Sequence, residues 1–248
     1  MKVKDSTGFY LSVAGFVLAI LTVLAAMAAG LGSRWEWWHF RTGFTILRWA
    51  ANGGLVAAAL AIAGFIIPRP RLQRGKLILS IIGLVLGLSV VGVLGSWWHA
   101  ARSVPAIHDI TTDTENPPRF VSILPVRKGA PNGTAYGGPE IAAQQRQAYP
   151  DVTPAMLSLP PPQAFLKALQ AAKDMGWGIV DSHQGEGRIE ATDTTFWFGF
   201  KDDIVIRVTP TEKGSRVDIR SVSRVGRSDL GTNAKRIRKY LKLLTEKP

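Results

Sequence analysis

Three stretches of the chain carry no charged residue: Phe9–Leu31, Trp49–Ile67 and Leu77–Trp98, of 23, 19 and 22 positions. A bilayer core of about 30 Å needs roughly 20 apolar residues in helical form. In hydrocarbon each backbone N–H and C=O must bond within its own segment, so each stretch is expected to be a helix. Lys2, Lys4 and the Ala26-Met27-Ala28 triplet give the first stretch some features of a cleaved leader. Its apolar run exceeds the roughly 7–15 residues of a signal core, and further spans follow, so it reads as a retained span. Gly83 and Gly87 in the third stretch, and Gly53, Ala57 and Ala61 in the second, recur every four residues. Such rows let helix backbones approach closely. They fit packing inside a three-helix bundle, with an oligomer interface as the alternative. No Asp, Glu, Lys or His lies inside a span, whereas a transport path usually keeps one there.

Beyond residue 104 the pattern changes. Residues 105–162 are interrupted by Pro105, Pro117, Pro118, Pro125, Pro131, Pro139, Pro150, Pro154 and Pro160–Pro162. A short helix is expected from Glu140 to Ala148. A connector of this length is either a stalk or a segment that wraps the next domain. Periodicity returns after it. Pro160–Pro162 suit a first helical turn, Phe165, Leu169, Ala172 and Met175 share a face, and Gly176 is the expected stop. Extended runs follow at Trp177–Asp181, Arg188–Thr195, Asp203–Thr209 and Ser215–Ser223. Ile204, Ile206 and Val208 alternate, as do Val217 and Ile219 against Arg216, Asp218 and Arg220. That is the mark of strands with one covered face. A last helix is expected from Asp229, a good N-cap, to Leu244, with Leu230, Ala234, Ile237, Leu241 and Leu244 in a stripe. The expected fold is therefore a three-helix transmembrane bundle (residues 1–104) plus an α+β domain (residues 105–248). The domain would hold a four-stranded antiparallel sheet with two helices on one face.

Charge refines this picture. The chain has 30 Lys and Arg against 18 Asp and Glu, a net charge of +12. Ten basic and two acidic residues precede residue 105, so most of the excess lies with the apolar stretches. It is expected to set topology and meet anionic headgroups rather than nucleic acid. Lys2, Lys4, Arg69, Arg71, Arg74 and Lys76 mark one side, against Arg34, Arg41, Arg48 and Arg102 on the other. The excess predicts a cytoplasmic N-terminus and an extracytoplasmic C-terminal domain. Trp35, Trp37, Trp38, Trp49, Trp97 and Trp98 would then share one interface as an aromatic belt. The last helix is locally basic through Lys235, Arg236, Arg238, Lys239 and Lys242, either as a solvated face or as a patch for phosphate, anionic lipid or an acidic partner.

Familiar chemical signatures are missing from the sequence. It holds no cysteine and no GxSxG, HExxH, GxxxxGK[ST] or GxGxxG run. Its four histidines are His39, His99, His108 and His183. His39 and His99 flank tryptophans, as interfacial anchors or as a two-ligand metal site. Residues 105–115 gather His108, Asp109, Asp113, Glu115 and three threonines. The run reads as a set of turn caps, a binding site, or a catalytic cluster using His108 with Asp109 or Asp113. Four aromatics in Phe196-Trp197-Phe198-Gly199-Phe200 suggest core beneath the two helices, an apolar ligand wall, or a bilayer-docking turn. Arg224 and Arg227 could hold an anion near the last helix, or pair with Asp229.

Three runs together carry a resemblance: PAIHDITTD (Pro105–Asp113), RIEATDTTFWFGF (Arg188–Phe200) and RVDIRSVSRVGRSDLG (Arg216–Gly231). The segment from Pro105 to Leu244 resembles the uncharacterised family called domain of unknown function 1499. The resemblance implies no activity and no catalytic residues. It does imply that His108, Asp109 and Asp113 form one unit with the sheet, so that the connector wraps it. The expected function is a non-catalytic binding or assembly module tethered to a bacterial inner membrane, with its domain in the periplasm. Binding would fall to His108, Asp109, Asp113, Arg224 and Arg227. No metal or other cofactor is expected, and the partners would be the bilayer with envelope proteins or anionic lipid. The alternatives are an envelope hydrolase or metal-dependent enzyme using His108 with Asp109 or Asp113, and a lipid or apolar-ligand carrier.

Overall fold

The computed structural model describes residues 2–67 and 74–246. Arg69 and Arg71, which contribute to the charge asymmetry, lie outside the described residues. Two compact units emerge, one of residues 1–100 with Trp197–Gly199 and one of residues 101–196 and 200–248.

The first unit contains α1 (Lys2–Arg34), α2 (Phe40–Ile66) and most of α3 (Arg74–Ser103). All three helices are long and apolar enough to cross a membrane. The small-residue rows face their neighbours inside this bundle. A Cβ on Gly83 would meet the Phe16 backbone at 3.0 Å, one on Gly87 the Gly54 carbonyl at 2.7 Å, and one on Gly15 the Ala61 amide at 2.8 Å. Ala57 and Ala61 are buried. Ser80 Oγ donates to Ser12 Oγ at 2.8 Å, a polar link between α3 and α1. His39 caps α2, its Nδ1 accepting the Arg41 N–H.

The aromatic run is split. Trp197 Nε1 donates to the Met27 carbonyl at 3.2 Å, and the Trp197 and Trp97 rings lie 4.9 Å apart. Phe198 packs 5.2 Å from Phe44 and beside Gly43, where a Cβ would come within 2.8 Å of its ring. These residues are not core beneath the two later helices.

The second unit is a six-stranded antiparallel sheet with helices, not a four-stranded one. The expected runs become β3 (Gly178–His183), β4 (Arg188–Thr194), β5 (Lys201–Thr211) and β6 (Gly214–Ser223). Two three-residue strands come from the connector, β1 (Asp109–Thr111) and β2 (Ala155–Leu157), and both pair with β6. The main order is β1-β6-β5-β4-β3. The connector also carries α4 (Gly138–Ala148).

One sheet face is covered by α5 (Pro161–Asp174) and α6 (Thr232–Thr245). Proline starts α5, and Gly176 ends it with φ +77°, a conformation open to glycine at no Cβ cost. Ile189, Ile204, Ile206, Val217 and Ile219 meet Phe165, Ala168, Ala172, Ile237 and Tyr240 there. Trp177 stacks on Tyr240, and the Tyr240 hydroxyl donates to the Ala168 carbonyl at 3.1 Å. Asp229 lies two residues before the N-cap, the position expected of it. Its carboxylate accepts the Gly231 and Asn233 N–H groups at 2.8 and 2.7 Å, while Gly231 is the N-cap of α6.

Candidate functional site

The period-two rule puts alternate residues of each strand on the opposite face. Cross-strand register places Glu190 with Val205 and Arg220, Arg188 with Arg207 and Asp218, and Thr192 with Asp203 and Val222. Asp109 joins this second face opposite Val222. The face is thus a field of arginines and carboxylates around a small apolar cluster of Phe120, Ile123, Val205 and Val222. Sequence patterning leaves this face to solvent. The structure buries most of it under residues 113–135, because those residues supply partners for its charges.

Asp109 is buried, and Arg220 holds it bidentately at 2.9 and 2.7 Å. The same guanidinium donates to the Pro118 and Thr134 carbonyls, and lies over the rings of Phe120 and Tyr136. Burial, with the nearby Asp109 charge, pushes the Tyr136 hydroxyl up to about 12. Asp113 accepts Arg207 and Arg216, each at 2.9 Å, and Asp218 shares both arginines. Burial would raise the Asp113 carboxyl, but the Asn116 N–H and the two guanidiniums hold it below the usual range.

Glu190 grips the connector backbone. Its carboxylate accepts the N–H groups of Val121, Ser122 and Ile123 at 2.7, 3.1 and 2.8 Å, and pairs with Arg188. Arg127 reaches down from the connector to Asp203 at 2.7 Å. Arg224 takes both oxygens of the same carboxylate at 2.8 Å, and the Thr192 hydroxyl donates to it at 2.7 Å. Burial opposes the ionised form of Asp203, yet Arg224, Thr192 and Arg127 keep its carboxyl below the usual range.

The five expected site residues therefore do not converge. Asp109, Asp113 and Arg224 fall into three separate ion-pair clusters on one face. The His108 ring faces the Arg227 carbonyl at 3.4 Å, and its own carbonyl accepts the Ser223 and Asn233 donors at 3.0 Å each. A hydrolase or metal enzyme built on His108 with Asp109 or Asp113 needs those groups together, whereas here the two carboxylates face arginines. Among the described residues no group of three His, Asp or Glu side chains is placed to hold a metal. Sequence reasoning missed Glu190, Asp203, Asp218, Arg127 and Arg207. The signal was the Arg-x-Asp-x-Arg alternation at Arg216–Arg220, together with Asp203 and Arg207 at even spacing in the preceding run.

Two clefts border the charged face. One, of about 260 Å³, runs between Pro117, Pro118, Val121 and Val205, with Arg119, Arg188 and Arg207 on its walls. The other, of about 660 Å³, lies at the end of the face that the connector leaves open. Thr192, Thr194, Lys201 and Arg224 line it, Val126 and Val180 form an apolar side, and Asp193 stands at the rim.

No curated protein and no solved structure matches the chain. A family model described as a protein of unknown function (DUF1499) matches residues 109–244, more than half of the chain. The matched segment begins at β1, continues through the connector and the whole charged face, and ends in α6. By that match, the chain belongs to the DUF1499 family.

Proposed function

We propose that the protein is a non-catalytic binding or assembly module of the bacterial envelope. Its apolar helices anchor it in the inner membrane, with the N-terminus in the cytoplasm and residues 105–248 in the periplasm. One observation carries the reading. Arginines and carboxylates of the family segment are spent on one another and on the connector backbone, which makes a rigid platform with open clefts at its margin. Anchoring supports the role, since it keeps the platform at high effective concentration for partners at the same membrane. Six basic residues, Lys2, Lys4, Arg69, Arg71, Arg74 and Lys76, against Arg34, Arg41, Arg48 and Arg102 support the orientation.

A reporter enzyme active only outside the cytoplasm, fused after residue 248, tests the topology. Activity is expected, and silence with a cytoplasmic reporter active instead would overturn it. Crosslinking in intact cells followed by mass spectrometry of the purified chain tests the module role. Recovery of the chain with no specific envelope protein or lipid attached would sink it.

A further inference from the structure

The open cleft on the charged face has a composition that points to a ligand class, and the inference deepens the binding role proposed above. Asp203 faces two guanidiniums, Arg127 and Arg224, so one carboxylate meets two positive charges. Lys201 adds a third, on an exposed side chain with no ion pair among the described residues. Arg224 commits Nε and Nη2 to Asp203 and Thr192, leaving Nη1 with no protein acceptor. Asp193 at the rim is turned to Arg236, 2.7 Å away. Thr194 sits opposite Lys201 in the ladder and adds a hydroxyl on the same face. Two cations with free donors, flanked by hydroxyls, suit the several acceptor oxygens of a phosphate group.

The same ladder rung, Thr194 with Lys201, closes the turn that carries Phe196, Trp197 and Phe198. In that turn Thr195 N donates to the Phe200 carbonyl at 2.8 Å, and Phe196 is 82% exposed. Aromatic rings beside a basic residue are typical of the headgroup layer of a membrane. We infer that the cleft lined by Thr192, Thr194, Lys201 and Arg224 binds a phosphate group, carried either by a lipid headgroup or by a free phosphate.

The test uses the detergent-solubilised full chain in two arms. Native mass spectrometry measures retention of phosphatidylglycerol against phosphatidylcholine, and thermal shift measures the response to inorganic phosphate. Retention of phosphatidylglycerol that added phosphate displaces identifies the headgroup. A thermal response to phosphate without selective lipid retention identifies the free anion. In either case Lys201→Glu is expected to weaken binding about tenfold, the effect of losing one charge-assisted contact, while Lys201→Arg preserves it. The exposed Lys201 makes both variants compatible with folding, and an unchanged thermal midpoint without ligand confirms that. No lipid preference together with no phosphate response would overturn the inference, as would binding that Lys201→Glu leaves unaltered. Neither arm depends on an envelope partner, so a failed crosslinking search and a failed phosphate site are separate results.

Discussion

The two faces of one sheet are held by different physics. Beneath α5 and α6 the sheet buries isoleucines, valines, Phe165 and Tyr240, and non-directional area burial does the work. On the other side, around a small apolar cluster, an irregular connector is held by carboxylates that accept backbone N–H groups and by arginines that reach carbonyls. Helices can cover an apolar face with many equivalent packings. A charged face accepts only a cover whose donors and acceptors coincide with its own, because a buried charge left unpaired is costly. The difference teaches that regular structure is not needed to bury a sheet, provided the polar groups of the cover are matched one by one.

The sharpest way to break this contrast is Asp109→Ala. It leaves Arg220 buried without its carboxylate, and removal of one partner of a buried pair costs about 3–5 kcal/mol. Thermal unfolding of the detergent-solubilised chain should show the loss, and hydrogen exchange should rise at residues 134–136. A loss below about 1 kcal/mol would mean that the pair is not the clamp described here. On the opposite face, Ile206→Ala should cost about 2–5 kcal/mol through lost burial and the cavity left behind. That penalty should not change with pH.

Glu190→Gln ranks next. The amide keeps one acceptor oxygen where the carboxylate offers two to three N–H groups, so about 1–3 kcal/mol should be lost. Exchange protection should fall at residues 121–123 and persist in α5. Protection lost equally from α5 would show that the two covers are not separable.

Acid should have a milder effect, and again on one face. Asp113 and Asp203 have carboxyl groups held below the usual aspartate range in the folded state by the guanidiniums and hydrogen bonds around them. Groups of this kind contribute stability that is present above the unfolded pKa and lost as pH falls through the folded one. The connector side should therefore weaken from about pH 4 downward. The penalty of Asp203→Asn should shrink over the same window, whereas that of Ile206→Ala should stay constant. Parallel behaviour of the two variants would remove the electrostatic account. The smallest expected change is a gain. Leu230 has φ +55°, which costs a side-chain residue about 1–2 kcal/mol, so Leu230→Gly should raise the thermal midpoint slightly, offset in part by chain entropy. A fall would place a packing role on this side chain.

The apolar half of the fold was legible because its signals are local. Ile204-x-Ile206-x-Val208 reads as a strand, and Phe165, Leu169 and Ala172 before Gly176 read as a helix with its stop. The helix expected at Glu140–Ala148 appears as Gly138–Ala148. β1 and β2 were not legible, since three residues show no period and their pairing with β6 spans long separations in the sequence. The charged face was misread for a related reason. Arg216, Asp218 and Arg220 look like a solvated edge until a second segment neutralises them, and pairing between distant residues leaves no periodic trace. The sequence did bring Asp109 and Asp113 forward, by clustering in one run, but it could not show that each would meet its own arginine.

The three amides held by Glu190 have a practical corollary for dissecting the molecule. A fragment starting at Pro160 would retain β3–β6, α5 and α6, yet it would strip Arg220 of Asp109, Asp203 of Arg127 and Glu190 of its three amides. The smallest excisable piece should instead begin before Asp109, since the proline-rich stretch behaves as a fitted lid that is synthesised before the surface it closes.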